Sequence, residues 1–152
     1  MKLIFRNLIL SNLFILFSMS SALATQIVVS EGYVRETIPG TKISSAYMVL
    51  ENTSDKDATL VGASSDVSDR VEIHEHIMAD GMMRMQQVES LIIKANSKVV
   101  FQPSGYHLMI FNLQQRLKAG ENASFTLHFS NIENITVKFP VHSIKKMQHQ
   151  HH

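Results

Sequence analysis

Eight side chains able to bind a soft metal ion fall between Val71 and Met109: His74, His76, Met78, Met82, Met83, Met85, His107 and Met109. The 152-residue chain contains eight His and nine Met but no Cys. Thiolate ligands and a Cys nucleophile are therefore excluded. Any metal must be held by imidazole, thioether, carboxylate or backbone groups. Thioether sulfur is soft and uncharged and imidazole is intermediate, so together they suit Cu(I) and are poor for Mg, Ca or Mn. Zinc usually takes thiolate, imidazole and carboxylate. Met needs no deprotonation, so only the imidazoles would make binding pH-sensitive. A site without thiolate should also bind less tightly, which suits a protein that must give its metal away.

The elements that must position these residues read as short β-strands. Arg70 to Met78 is one strand, Ala79-Asp80-Gly81 is a hairpin turn, and Gly81 to Val88 returns. Side chains i and i+2 share a face of a strand. His74 and His76 therefore lie with Glu72, opposite Val71 and Ile73. Met83 and Met85 lie opposite Arg84. Tyr106 to Asn112 is a third strand, with His107 and Met109 opposite Leu108 and Ile110. Pro103-Ser104-Gly105 turns the chain just before His107, near one end of the fold, where β-proteins commonly carry their sites.

The other expected strands are Ile27 to Val34 (with Gly32 at a bulge), Ser45 to Glu51, Ala58 to Ala63, Leu91 to Lys94, Lys98 to Gln102, Ala123 to Ser130 and Ile135 to Val141. Turn-forming clusters such as Asn52 to Asp57 separate them. Ser64 to Asp69 is a polar connection with room for a helical turn. No stretch keeps a 3.6-residue apolar period over three turns. The expectation is an all-β sandwich or Greek-key barrel.

Three segments are expected. Lys2, Arg6, the apolar run Leu8 to Phe17 and Ala22-Leu23-Ala24 give residues 1–24 the layout of a secretory signal peptide. Ser11 and Asn12 interrupt the run, which is short for a membrane span. No membrane insertion is expected after cleavage, and no Cys follows the run to carry a lipid. Residues 25–142 are long enough for one core, held by packing because no disulfide can form. Residues 143–152 (SIKKMQHQHH from Ser143) are a polar tail read as flexible.

Of the 14 Lys and Arg, Lys2 and Arg6 lie in the leader, leaving 12 against 13 acidic residues. No basic stripe with interleaved aromatics suggests a nucleic-acid partner. There is no nucleophile elbow, and a blue-copper centre would need a Cys. Thioether ligands would also favour Cu(I) and oppose redox cycling. A binding protein is expected rather than an enzyme.

His74, ten residues, Met85, twenty-one residues, His107, one residue and Met109 form a spacing that resembles the H-x10-M-x21-H-x-M signature of the periplasmic PCu(A)C-type copper chaperones. GMMRMQQVE after the hairpin turn and the Pro/Gly turn before HLM are similar too. The likeness runs over essentially the whole chain, leader and tail included. By chance, four preset positions would match on the order of 10⁻³ times over all registers. The resemblance implies a cupredoxin-like Greek-key β-sandwich or barrel that binds Cu(I) through His74, Met85, His107 and Met109. It implies export to the periplasm and delivery of copper toward the CuA centre of cytochrome c oxidase subunit II, or to another copper carrier. In some members His-rich extensions add Cu(II) binding, a role open here to Met147, His149, His151 and His152. The competing readings are a periplasmic copper buffer or resistance protein with no dedicated recipient, and a β-sandwich binding module whose His and Met only pack.

The remaining candidates have blander readings. Met48 and Met82 read as core filler. Met83 either lines the site or packs, and Met78 is either core or a nearby soft donor. His76 is a supporting neighbour, an extra Cu(II) ligand or a solvated residue. His128 alternates with Phe125, Leu127 and Phe129 and should face solvent, and His142 has no evident partner. The sequons at Asn52, Asn122 and Asn134 read as incidental turn and strand residues.

Overall fold

The computed structural model describes residues 26–143. The expected leader and the tail residues Met147, His149, His151 and His152 lie outside the described residues. Ten strands follow in chain order: β1 (Ile27–Arg35), β2 (Ser44–Asn52), β3 (Ala58–Ser65), β4 (Arg70–Ala79), β5 (Met82–Gln87), β6 (Leu91–Ile93), β7 (Ser97–Phe101), β8 (Tyr106–Phe111), β9 (Asn122–Phe129) and β10 (Ile135–His142). All ten expected strands are present, with ends within two residues of the sequence reading. The connection after Ser65 makes a turn closed by a Ser65–Ser68 bridge rather than a helical turn. No helix occurs among the described residues.

The strands form one hydrogen-bonded ladder in the order β5-β4-β8-β7-β2-β1-β10-β9-β3-β6. The ladder folds over on itself. The half from β5 to β1 makes one layer, and β10, β9, β3 and β6 make the other. Their junction is the parallel pairing of β1 with β10, where Val34 sits against Val141. Alternate residues turn inward. Ala46, Met48, Leu50, Ile73, Leu108 and Ile110 of the first layer share one buried core with Leu60, Ile93, Phe125 and Leu127 of the second.

Two local features set the registers. The ladder slips between Ser30 and Tyr33, with Glu31 at φ 54°, so Glu31-Gly32 is the expected bulge. At the β4–β5 hairpin, Asp80 and Gly81 have φ of 54° and 75°. Two successive positive φ values identify the two-residue turn whose twist matches antiparallel strands. The buried Asn52 is a pin rather than a glycan acceptor. Its amide donates to the carbonyls of Lys56 (2.7 Å) and Ile93 (3.0 Å), and its oxygen accepts from the Ser54 amide at 3.1 Å.

Gly32 is required by space. A Cβ there would stand 2.0 Å from Cε1 of Phe139, a ring buried in the core. Gly32→Ala is expected to cost about 1–3 kcal/mol, read as a lower urea midpoint with an unchanged slope. An unchanged midpoint would show that Phe139 can move aside freely.

Candidate metal centre

β4 runs between β5 and β8, so its outward face is flanked on both sides. His74 lies directly opposite His107, and Glu72 opposite Met109. On the other side His76 lies opposite Met85. The intervening Ile73, Leu108 and Ile110 are buried in the core, so the His and Met residues must point away from it. The two registers thus bring His74, Met85, His107 and Met109 to one face, where alternation alone had set only the side of each within its own strand. The His74–His107 pair is its centre, with ring centroids 5.9 Å apart. Met109 and Met85 stand on opposite diagonals of His74, one beside Glu72 and one beside His76.

An outward His ordinarily meets water, yet His107 is only 2% exposed. The rings of His76 (4.9 Å), His74 and Tyr47 (6.4 Å) surround it. Its Nδ1 lies 3.1 Å from the Gly105 carbonyl. A carbonyl can only accept, so Nδ1 carries the proton and Nε2 is left as a bare lone pair. His74 is fixed the other way round. Its Nε2 donates to Oε2 of Glu72 at 2.8 Å, leaving Nδ1 bare. His74 Nδ1, His107 Nε2 and His76 Nδ1 are all buried without a hydrogen-bond partner. Such atoms are costly and uncommon in folded proteins. Bare nitrogens of this kind suit a cation that accepts imidazole lone pairs.

Neighbouring groups hold these rings in place. Oε1 of Glu72 accepts from Nε of Arg70 at 2.7 Å. The Arg70 guanidinium lies over the Phe111 ring at 4.4 Å, and Phe111 lies against His74 at 5.9 Å. The hydrogen bond from His74, with further help from Arg70 and against the effect of burial, holds the Glu72 carboxyl below the usual range. Burial, aided by His76 and His74 and opposed by the Gly105 hydrogen bond, pushes His107 below the usual imidazole value. The ring therefore stays neutral and able to donate its lone pair. The Ser45 hydroxyl points at the Met109 sulfur at 3.8 Å. Among the described residues no group of three His, Cys, Asp or Glu side chains is placed to hold a metal. An ion on this face would therefore draw on thioether sulfur.

Sequence reasoning placed Glu72 on this face but not its bond to His74, which the i, i+2 spacing could have suggested. Ser45 and Tyr47 gave no signal, because nothing in the sequence shows that β2 pairs with β8. Met48 is buried as expected, but Met82 is 57% exposed and is not core filler. It sits on edge strand β5, which is exposed along its whole length. His142 has a partner after all: it ends β10 and stacks on Tyr33 at 5.0 Å. His128 bonds Oγ of Ser64 at 2.9 Å on the outer side of its layer.

The architecture is that of the cupredoxin-like barrels represented by PCuAC domains. The copper-bound PCuAC domain from PmoF2 superimposes with a TM-score of 0.66 at 20% identity, covering 78% of this chain and 93% of that one. CuI-DR1885 from Deinococcus radiodurans matches at 28% identity with a TM-score of 0.62, over 80% of this chain and 83% of that one. Residues 27–141 match the LpqE-like family, and the chain belongs to this lipoprotein family. A relative, Lxx21020 of Leifsonia xyli subsp. xyli (strain CTCB07), is 32% identical over 114 residues, which is 74% of this chain and 68% of that protein.

The tautomers can be checked in the metal-free protein. Long-range ¹H–¹⁵N spectra should show His74 protonated at Nε2 and His107 at Nδ1, and the reverse assignment would contradict the geometry. Because His107 has a lower pKa folded than unfolded, protons favour the unfolded chain. Its contribution to stability is complete above the unfolded value of about 6.5 and is lost as pH falls through the folded one. Denaturation of the metal-free protein between neutral and mildly acid pH should show this decline, and His107→Gln should reduce it.

Proposed function

We propose that this protein is an exported copper carrier that holds Cu(I) through His74, Met85, His107 and Met109 and delivers it toward the CuA centre of cytochrome c oxidase. The observation that carries this reading is the pair of bare, buried lone pairs on His74 and His107, facing outward with two thioethers on one side of the sheet. Copper as the cargo is supported by the 28% identity to CuI-DR1885. Membership of a lipoprotein family supports export, and the leader-like start of the chain supports the periplasm as the destination.

The donor set explains both retention and release. Two imidazoles and two thioethers are neutral, so they hold a monovalent soft ion without building up charge. Glu72 accepts the Nε2 proton of His74 and fixes the ring's orientation. Without thiolate the ion is held only moderately. The four residues also differ in access: His107 is 2% exposed and Met85 is 46% exposed. A recipient's donor would displace Met85 first, at the edge of the sheet, and reach the buried imidazole last. Each step exchanges one ligand for another, and copper remains Cu(I) throughout. Binding and handover require no covalent chemistry.

Anaerobic Cu(I) competition titrations test the site. His107→Ala combined with Met109→Ala should weaken binding by about 100-fold or more, and Glu72→Gln by about 10- to 100-fold. Wild-type affinity in a folded double variant would remove the proposed ligand set. For delivery, the loaded protein should metallate an apo CuA-domain fragment faster than an equal concentration of Cu(I) presented on a small chelator. Equal rates would favour a copper buffer without a dedicated recipient.

A further inference from the structure

The β4–β5 hairpin exposes sulfur that the four proposed ligands do not account for. Met78 is 72% exposed and Met83 57%, beside the half-exposed ligand Met85. Among the described residues β5 pairs only with β4 and ends the ladder, so no core or neighbouring strand lies beyond it to be filled. Packing therefore does not explain why thioethers stand at these positions.

Their arrangement is specific. Two successive cross-strand pairs, His76 with Met85 and Met78 with Met83, occupy the same face as His74. Paired residues on antiparallel strands stand about 5 Å apart, and the next pair on that face lies about 7 Å along. Four soft, neutral donors thus mark the corners of a small rectangle. The Asp80-Gly81 turn fixes the register that creates it. His76 contributes the third of the buried, unpartnered imidazole nitrogens. Arg84 faces the other side of the hairpin, where it pairs with Asp80 at 3.8 Å, so no guanidinium competes for this face.

We propose that His76, Met78, Met83 and Met85 form a second, outer Cu(I) position on the hairpin, from which the ion passes inward through Met85. This rests on the copper reading above, since Met85 belongs to both sets. Transfer is ligand exchange at constant oxidation state. Cu(I) held by the hairpin thioethers keeps Met85, gains His74, His107 and Met109, and gives up Met78, Met83 and His76. Release would retrace the same route. The outer position should be the weaker one, because its sulfurs are open to water and only one imidazole serves it.

The test is anaerobic titration with Cu(I), buffered by bathocuproine disulfonate, alongside ¹³C-methyl methionine NMR. Wild-type protein should take a tight equivalent and then a second, held by His76, Met78 and Met83 once Met85 serves the inner ion, that is about tenfold or more weaker. The Met78 and Met83 methyls should shift only with the second. Met78→Leu with Met83→Leu should lose that second equivalent and keep the tight affinity. Leucine preserves the apolar surface, so a face that only docks a partner would leave metal stoichiometry unchanged in this variant. Met109→Leu should weaken the tight equivalent while the hairpin methyls still respond. A single equivalent in the wild type, or a second that survives the double leucine change, overturns the outer position alone. No Cu(I) binding at all would overturn the proposed function with it.

Discussion

The arrangement of the face that carries the His and Met residues depends on one constraint, the antiparallel register of β4 between β5 and β8. That register sets His74 against His107 and His76 against Met85. It is enforced from the opposite side of the sheet, where Ile73, Leu108 and Ile110 are buried in the core. Slipping a strand by one residue would send those side chains into water and the imidazoles into the core. The hydrophobic interior therefore fixes, from the opposite side of the sheet, the face on which these His and Met residues lie. The Asp80-Gly81 turn adds a second fixed point on the β5 side.

The polar neighbours then decide which lone pairs the face presents. Glu72 and the Gly105 carbonyl each accept one imidazole proton, so His74 and His107 present opposite nitrogens. The rings of Tyr47 and His76 exclude water from His107. Removing water from an imidazole with a bare lone pair is unfavourable, and the folded core must offset it. A soft cation would satisfy those nitrogens and add its binding energy to the stability of the fold. Arg70, Phe111 and Glu72 restrain His74 from one side while Met85 stays half-exposed on the edge strand. The face is thus ordered around its imidazoles and open at Met85.

Much of this was legible from the sequence, for identifiable reasons. Strands with one buried face alternate apolar and polar residues, and turn residues punctuate them, so all ten could be located and the faces of the three that carry the candidate site named. The Asp-Gly hairpin and the Gly32 bulge followed from the same local rules. What was not legible depends on contacts between segments distant in sequence. Nothing local announces that β1 runs parallel to β10, or that β2 reaches β8 to bring Ser45 against Met109 and Tyr47 toward His107. The burial of an outward-facing His was hidden for that reason. Met82 read as core because Met usually is, whereas the hairpin strand that carries it has no layer to pack against. His142 seemed solitary because its partner, Tyr33, lies on the first strand.

The central claim, a copper centre built from two imidazoles and two thioethers, is tested most directly by X-ray absorption on protein loaded with one equivalent of Cu(I). A site made by His74, Met85, His107 and Met109 requires a mixed inner shell of two sulfur and two imidazole nitrogen neighbours. An inner shell of nitrogen and oxygen alone would contradict it.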